Sequence, residues 1–277
     1  MLGLGSNVLA EILAAITLIF LGWILSVLLR LPFVYRKRRR LFEFFEITEE
    51  CPRLIVYLST VFVRMWGSED FRGEARSFTG PAVPAAELST IEPIARLFND
   101  PFLDSLPISI RAWLGNKVHW SFRKISPIFS SSPHDRNQVE KGNIITVGSQ
   151  YYNSAGDLYT ETCNPILKME QAGQPMVIRV KRGARQGDVF QQRAGQADDL
   201  AIVEKIQDTA TKSTVFIAAG LGVVGTMGAV HFIVERWEKL REDFGTKPFA
   251  ICLRFQDVGS DPNVLMKPVE LSRFQTG

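Results

Sequence analysis

The sequence is poor in the residues that staple or metallate a small domain. It has three cysteines, Cys51, Cys163 and Cys252, far apart and without a Cys-x-x-Cys pair. Neither a disulfide framework nor a zinc site is expected, and this usage fits a reducing compartment. The three histidines, His119, His134 and His231, stand in no ligand spacing, so no metal site is assigned. There is no internal repeat and no low-complexity tract, which argues against a solenoid. Long apolar runs are scarce: 46% of residues are hydrophobic and the mean hydropathy is +0.05, too low for a multi-pass membrane protein. Distributed positive charge is also lacking. The net charge is +3, but much of it sits in Arg30, Arg36, Lys37, Arg38, Arg39 and Arg40, and the rest of the chain is slightly acidic. The basic cluster therefore suits a membrane surface, and nucleic acid is not an expected partner.

One long apolar run is present. Residues 8–29 read VLAEILAAITLIFLGWILSVLL, with Glu11 as the only charge. At 1.5 Å per residue, that length crosses a hydrocarbon layer of about 30 Å. No lysine or arginine precedes the run, whereas RLPFVYRKRRR follows it, a pattern unlike a cleaved signal peptide. The positive flank places the following domain in the cytoplasm and the N-terminus outside, with Trp23 and Tyr35 as interface residues. The expected organisation is a short extracytoplasmic segment (1–7), a transmembrane helix (8–29), a basic juxtamembrane linker (30–50) and one cytoplasmic α/β domain (51–277), at a bacterial inner membrane.

Within the domain, PRLIVYLSTVFVRMW (52–66) reads as one buried strand, and residues 80–100 as a helix that Pro93 kinks or restarts. Further strands are expected at 143–148, 176–183, 199–206, 213–220 and 249–258, with an extended stretch near the end. Val230, Ile233, Trp237, Leu240 and Phe244 recur at helical spacing, and Gly245 supplies a stop. Strands alternating with helices indicate an α/β fold, here one transmembrane helix plus a Rossmann-like domain.

The most informative constellation is STVFIAAGLGVVGTMGAVHF: a strand, then Gly220, Gly222 and Gly225, then Thr226 opening a helix. Glycines bring backbone N–H groups close to phosphate oxygens, and a helix N-terminus adds positive potential. A dinucleotide dehydrogenase is disfavoured, because the loop lies near the chain end and Asp257 is too distant to hold a ribose. Gly148 and Ser149, closing the 143–148 strand, and Asn153 after them are candidates for the opposite side of the same cleft. Asp157 is a lesser one.

A strand ending in Gly148-Ser149, and later a strand, glycine turn and Gly225-Thr226 helix, resemble the SLOG superfamily, the Rossmann-like group that includes the LOG nucleotide hydrolases and DprA. The LOG motif G-G-x-G-T-x-x-E has looser glycine spacing here, and Ala229 stands at its glutamate position. The resemblance covers about the last half of the chain. It implies nucleotide binding without the family's hydrolytic glutamate, and a sensor or effector in bacterial nucleotide signalling or antiviral defence.

Plainer readings stand beside this one. Residues 213–234 would also pass as a second membrane helix, or as a ligand-free strand-to-helix turn, and His231 as a core histidine. The expected function is a membrane-anchored sensor binding a nucleotide-type ligand, with the bilayer and further copies of itself as partners and no assigned cofactor. The alternatives are a nucleotide- or NAD-processing enzyme using Glu235 or Asp199 as acid or base, with no nucleophilic triad, and a ligand-free scaffold. An Asp198-Asp199 pair before a strand is ordinarily a solvated turn.

Overall fold

The computed structural model describes residues 3–66, 77–133, 135–140, 142–171, 176–194, 196–256 and 268–275. Asp257, His134 and the last residues of the strand expected at 249–258 lie outside them. The chain begins with one uninterrupted helix, α1 (Gly3–Phe45), with Pro32 inside it. Among the described residues it is the one helix long and apolar enough to cross a membrane, and none of its most apolar window is buried.

The helix continues through the stretch expected as a linker, and its last turn is part of the domain. Leu41, Phe42, Phe44 and Phe45 are almost fully buried, and Ile47 joins them. Phe45 packs on Phe98 and Phe216, with ring centroids 5.2 and 4.9 Å away. Arg38, grouped by sequence with membrane-facing cations, is also buried. Its guanidinium donates to the carbonyls of Ser121 (2.8 Å), Phe98 (3.2 Å) and Arg123 (2.7 Å). Only a cation with several donors can satisfy three converging carbonyls away from water, which is why arginine stands there.

The stretch expected as one strand over 52–66 is two, β1 (Leu54–Leu58) and β2 (Val61–Trp66), separated at Ser59-Thr60, and β2 pairs with β3 (Ser77–Ala82) as a hairpin. The helix expected over 80–100 is likewise broken into α2 (Ala85–Leu88) and α3 (Ile91–Phe98). Pro93 sits in the first turn of α3, where its missing N–H costs nothing. Next come α4 (Pro101–Ser105), capped by the Asp100 carboxylate, α5 (Ile108–Trp113), a π turn at Leu114–Val118, and strand β4 (Ile128–Ser131). The second half supplies β5 (Asn143–Val147), α6 (Ser154–Thr162), β6 (Leu167–Gln171), β7 (Met176–Val180), β8 (Val189–Gln191), β9 (Asp199–Asp208), β10 (Ser213–Gly220), α7 (Val223–Phe244), β11 (Phe249–Phe255) and β12 (Val269–Gln275).

Seven strands form one mixed sheet in the order β12-β11-β9-β10-β5-β1-β4. Strands β4, β1, β5 and β10 run parallel, while β9, β11 and β12 pair antiparallel. Residues 213–220 are therefore a fully buried strand and 223–244 a helix of the domain. One face of the sheet packs on the end of α1, on α3 and on α7. The other packs on α6 and the small sheet β6-β7-β8. With both faces covered, β1, β5 and β10 are buried at every residue rather than at alternate ones.

Two helix ends meet one buried cation. Lys205 of β9 is fully buried; its Nζ donates to the carbonyls of Phe44 (3.1 Å) and Thr246 (3.0 Å) and pairs with Glu46 at 2.7 Å. It thereby closes the carboxyl end of α1 and the turn that follows α7. Arg241 of α7 adds an ion pair to Glu43 of α1, and Asn143 donates to the Glu46 carbonyl.

Because the last turn of α1 is core, a fragment starting at residue 46 loses four large buried side chains. At about 1.5–3 kcal/mol each, the loss is about 6–12 kcal/mol, as large as the whole stability of a typical domain. A fragment of residues 36–277 is expected to melt cooperatively by circular dichroism, and one of residues 46–277 is not. Equal melting temperatures for the two would contradict the core assignment.

Candidate functional site

Parallel strands that end together leave their carboxyl ends as a common edge, and a crevice opens where successive connections leave in opposite directions. Here the chain leaves β1 outward to β4, while from β5 it leaves the other way, to β9 on the far side of β10, so the reversal lies between β1 and β5. Gly148, Ser149 and Asn153 follow β5, and Gly220 closes β10 beside it. The structure therefore brings the two glycine turns singled out by sequence to one edge, on adjacent strands, joined by the Gly148 N–H to the Ala218 carbonyl at 3.0 Å.

Each glycine turn is filled by a carboxylate of the chain itself. Asp199 lies beside the end of β10 because β9 runs antiparallel to it, pairing Ala201 with Gly220. Its carboxylate accepts from the N–H groups of Gly222 (2.9 Å), Gly225 (2.7 Å) and Leu200 (2.8 Å). It thus occupies the position at the start of α7 where a phosphate would sit. Burial pushes its pKa up, opposed by the three backbone donors. A Cβ on Gly222 would stand 2.7 Å from the Asp199 carboxylate, and one on Gly225 2.7 Å from the Leu200 carbonyl. These glycines are required by the internal contact with or without a ligand. Thr226 is buried and used locally: its hydroxyl accepts from the Gly220 N–H and donates to the Gly222 carbonyl, both at 3.1 Å.

The Gly148 turn is also packed by a carboxylate, but its own N–H is bonded to the Ala218 carbonyl. Gly148 has φ +102°, a left-handed conformation that glycine adopts without strain, and the Ser59 hydroxyl and Glu87 of α2 fill the space a side chain would take. Glu87 is buried, accepts from the Ser59 N–H at 2.6 Å, and has its pKa raised by burial. Asn153 is fully buried. Its Nδ2 donates to the carbonyls of Tyr57 and Val147, both 2.9 Å away, and its Oδ1 caps α6 through the Gly156 N–H at 3.0 Å. It ties β1 to β5 and presents no free group to a ligand. Ser149 is buried and its carbonyl accepts from the N–H groups of Tyr152 and Asn153.

What remains open at this edge is a crevice of about 370 Å³ lined by Thr60, Val61, Pro133, Gln150, Tyr151, Tyr152, Ser154 and Asp157. Sequence reasoning missed all of these but Asp157, since its search followed glycines. The signal available was Tyr151-Tyr152 between a strand end and a capping Asn153, where aromatic rings do not serve a turn. The Tyr152 ring is 60% exposed, an unusual position for an aromatic with no core role. Gln150 and Tyr151 are held by the Met169 carbonyl of β6, and Thr60 donates its N–H to the Tyr152 carbonyl at 2.8 Å and its hydroxyl to the Ser132 carbonyl at 2.7 Å. Val61, Pro133 and Tyr152 offer apolar and aromatic walls, and among the described residues no lysine or arginine lines the space. A larger cleft, about 870 Å³, lies at the opposite edge beside the end of α1, remote from all the sequence-derived residues.

The other carboxylate considered, Glu235, is exposed on α7, thirteen residues beyond Gly222 or about 20 Å along the helix axis. His231 is half-buried, with its pKa lowered by that burial. Asp198 is no solvated turn: it is buried and paired with Arg193 at 2.9 Å and Arg254 at 3.3 Å. Comparison with family models, with curated proteins and with solved structures gives no match.

Replacing Asp199 by Ala leaves three inward-facing N–H groups without their acceptor, and about 3 kcal/mol of destabilisation is expected. Thermal unfolding of the full chain in detergent should show a fall of several degrees, smaller for Asp199→Asn. If millimolar inorganic phosphate restores Asp199→Ala but not the parent, the loop amides accept any anion and the carboxylate is their resident one. An unchanged melting temperature would show that the carboxylate does not support the loop.

Proposed function

We propose that this protein is a single-pass membrane-anchored receptor for a nucleotide-type ligand, held in the crevice between the carboxyl ends of β1 and β5 in a Rossmann-like domain on the cytoplasmic side. The observation that carries the reading is the position of the crevice: it opens at the reversal of strand connections, where ligands of open α/β sheets bind. Its walls suit a planar base, stacked on Tyr152 against Val61 and Pro133, with Gln150 and Asp157 as polar groups at the margin. A phosphate would lie away from the glycine loop, whose amides Asp199 already occupies.

Anchoring is supported by the continuity of α1. The apolar segment is one helix with the buried turn at Leu41–Phe45, so removal of the segment as a signal peptide would cut a helix that the domain core contains. The basic residues that stay exposed, Arg30, Arg36, Lys37, Arg39 and Arg40, support the inward orientation. Beneath the crevice, Leu58 and Val147 share the apolar cluster of Phe44 and Phe45. Ligand seating at the ends of β1 and β5 would thus bear on the packing that holds the anchor, and in the membrane would alter self-association.

The full chain in detergent, screened by thermal unfolding against nucleosides, nucleotides, dinucleotides and cyclic oligonucleotides, tests the reading. A ligand at a hundred times its Kd adds about 2.7 kcal/mol, a rise of several degrees. Tyr152→Ala, at an exposed position, should abolish the rise while leaving the unliganded melting temperature within about 1 °C, the change expected of a surface substitution. Gly222→Asp is not a usable probe, since its carboxylate would meet that of Asp199. No rise with any compound would overturn the receptor reading and leave a membrane scaffold.

A further inference from the structure

Away from α1 and from Tyr151-Tyr152 at the crevice, one further short stretch of the described residues exposes several large apolar side chains. Ile108, Trp113 and Val118 are 76, 57 and 51% exposed, all within α5 and the π turn after it. The inner side of this segment forms its own small core, Leu103, Leu106, Leu114 and Phe122. That core is closed by α1: Val27, Leu31, Val34 and Tyr35 pack against it, and the Tyr35 ring meets His119 edge-on at 5.2 Å and Phe122 at 5.7 Å. On its other sides the same stretch of α1 exposes Leu28, Leu29 and Phe33.

The height of this contact follows from helix geometry. Counting from Val8 at 1.5 Å per residue, a hydrocarbon layer of about 30 Å ends near Leu28. The α4–α5 segment meets α1 from Val27 to Tyr35, about 12 Å of axis that begins at that boundary and runs through the headgroup layer. Lipid touching Leu28 and Leu29 would therefore reach the same plane as Ile108, Trp113 and Val118. The charges agree: Arg30, Arg36, Lys37 and Arg40 of α1 and Lys117 beside Val118 are exposed there. The nearby acid Asp104 is already paired with Arg111 at 2.7 Å and Lys124 at 3.3 Å. An apolar tip with tryptophan, rimmed by cations, fits the interface of an anionic bilayer.

We infer that α4, α5 and the following π turn form a second membrane contact, a foot whose Ile108, Trp113 and Val118 insert at the interface of an anionic bilayer beside the exit of α1. The inference rests on the anchor reading and goes beyond it: an anchor alone leaves the domain free to swing, whereas two contacts fix its tilt.

The test uses the full chain reconstituted into vesicles of equal parts phosphatidylcholine and phosphatidylserine, with Cys51 and Cys163 replaced by Ser. A nitroxide is attached in turn through Ile108→Cys, Trp113→Cys, Val118→Cys, Leu25→Cys and Glu238→Cys. All five positions are exposed, so the fold should persist, and thermal unfolding checks that it does. Electron paramagnetic resonance then compares collision with oxygen, which enters lipid, and with a water-soluble nickel chelate. The expected result is an oxygen-to-nickel ratio several-fold higher at 108, 113 and 118 than at 238, approaching that at 25, and falling when phosphatidylserine is omitted. Water-like ratios at 108, 113 and 118 with a membrane-like ratio at 25 would overturn the foot and leave the anchor standing. A water-like ratio at 25 would overturn the anchor, and the foot with it.

Discussion

The attachment of the long helix to the sheet depends on one ammonium group. A helix that ends inside a protein leaves carbonyls without partners and a negative partial charge, and away from water neither can be left alone. α1 ends that way against the sheet, and α7 turns out of its last turn at the same place, with Gly245 at φ +62°. Lys205 answers both, donating to Phe44 and Thr246, while Glu46 at 2.7 Å offsets the cost of burying its charge. Glu46 reaches that position by adopting a left-handed φ of +53°, the usual way a helix chain reverses at its end, here without glycine. Removing the lysine would strand two carbonyls and a carboxylate together, and losses of that kind cost about 3–5 kcal/mol.

The same logic of internal satisfaction governs the carboxyl edge of the sheet. A glycine turn before a helix presents N–H groups that require an anion but do not specify which one. In nucleotide-binding folds the anion is a ligand phosphate; here the Asp199 carboxylate is supplied by the neighbouring strand, and Glu87 serves the Ser59 N–H at the end of β1 in the same way. Glu204, next to Lys205 on β9 but facing the opposite side, repeats the pattern. It accepts from the N–H groups of Ile166 (2.6 Å) and Leu167 (3.1 Å), and full burial pushes its pKa up to about 8. This chain fixes its irregular turns with buried carboxylates, so glycine spacing alone overstates how many of them await a ligand.

That is also the boundary of what the sequence disclosed. The apolar helix, the strands near 143, 176, 199, 213 and 249, and the helix over 223–244 were legible because each is specified by its own residues: periodicity, β-branching, or a glycine stop. The split at Ser59-Thr60 was not, since both strands are apolar and the break is marked by bonds to residues far along the chain, Glu87 to the Ser59 N–H and Tyr152 to the Thr60 N–H. The entry of α1 into the core was hidden because LFEFF beside five consecutive basic residues reads as a membrane-surface helix, and Arg38 differs from its neighbours only in what surrounds it. Asp198-Asp199 reads as a solvated turn for the same reason, and nothing local marks Glu204 and Lys205 as buried. Their meaning lies in partners many residues away, brought close by an antiparallel register that no local pattern encodes.

The placement of the parts constrains how the domain and the long helix can influence one another. The crevice lies at the carboxyl ends of β1 and β5, and α1 enters at their amino ends, where Asn143 at the start of β5 holds the Glu46 carbonyl. Strands of five residues, about 17 Å long, separate the two. Between its apolar segment and the core, α1 has no loop that could absorb a change of orientation. At Pro32 the helix continues with one backbone bond missing, since proline cannot donate the N–H that would reach the carbonyl of Leu28. On either side of it, Leu31 and Val34 are gripped by the core of the α4–α5 segment. A helix without a hinge, weakened at a single residue and braced at that residue, transmits rotation of the domain as a lever; its stiffness is set by how firmly that segment is held.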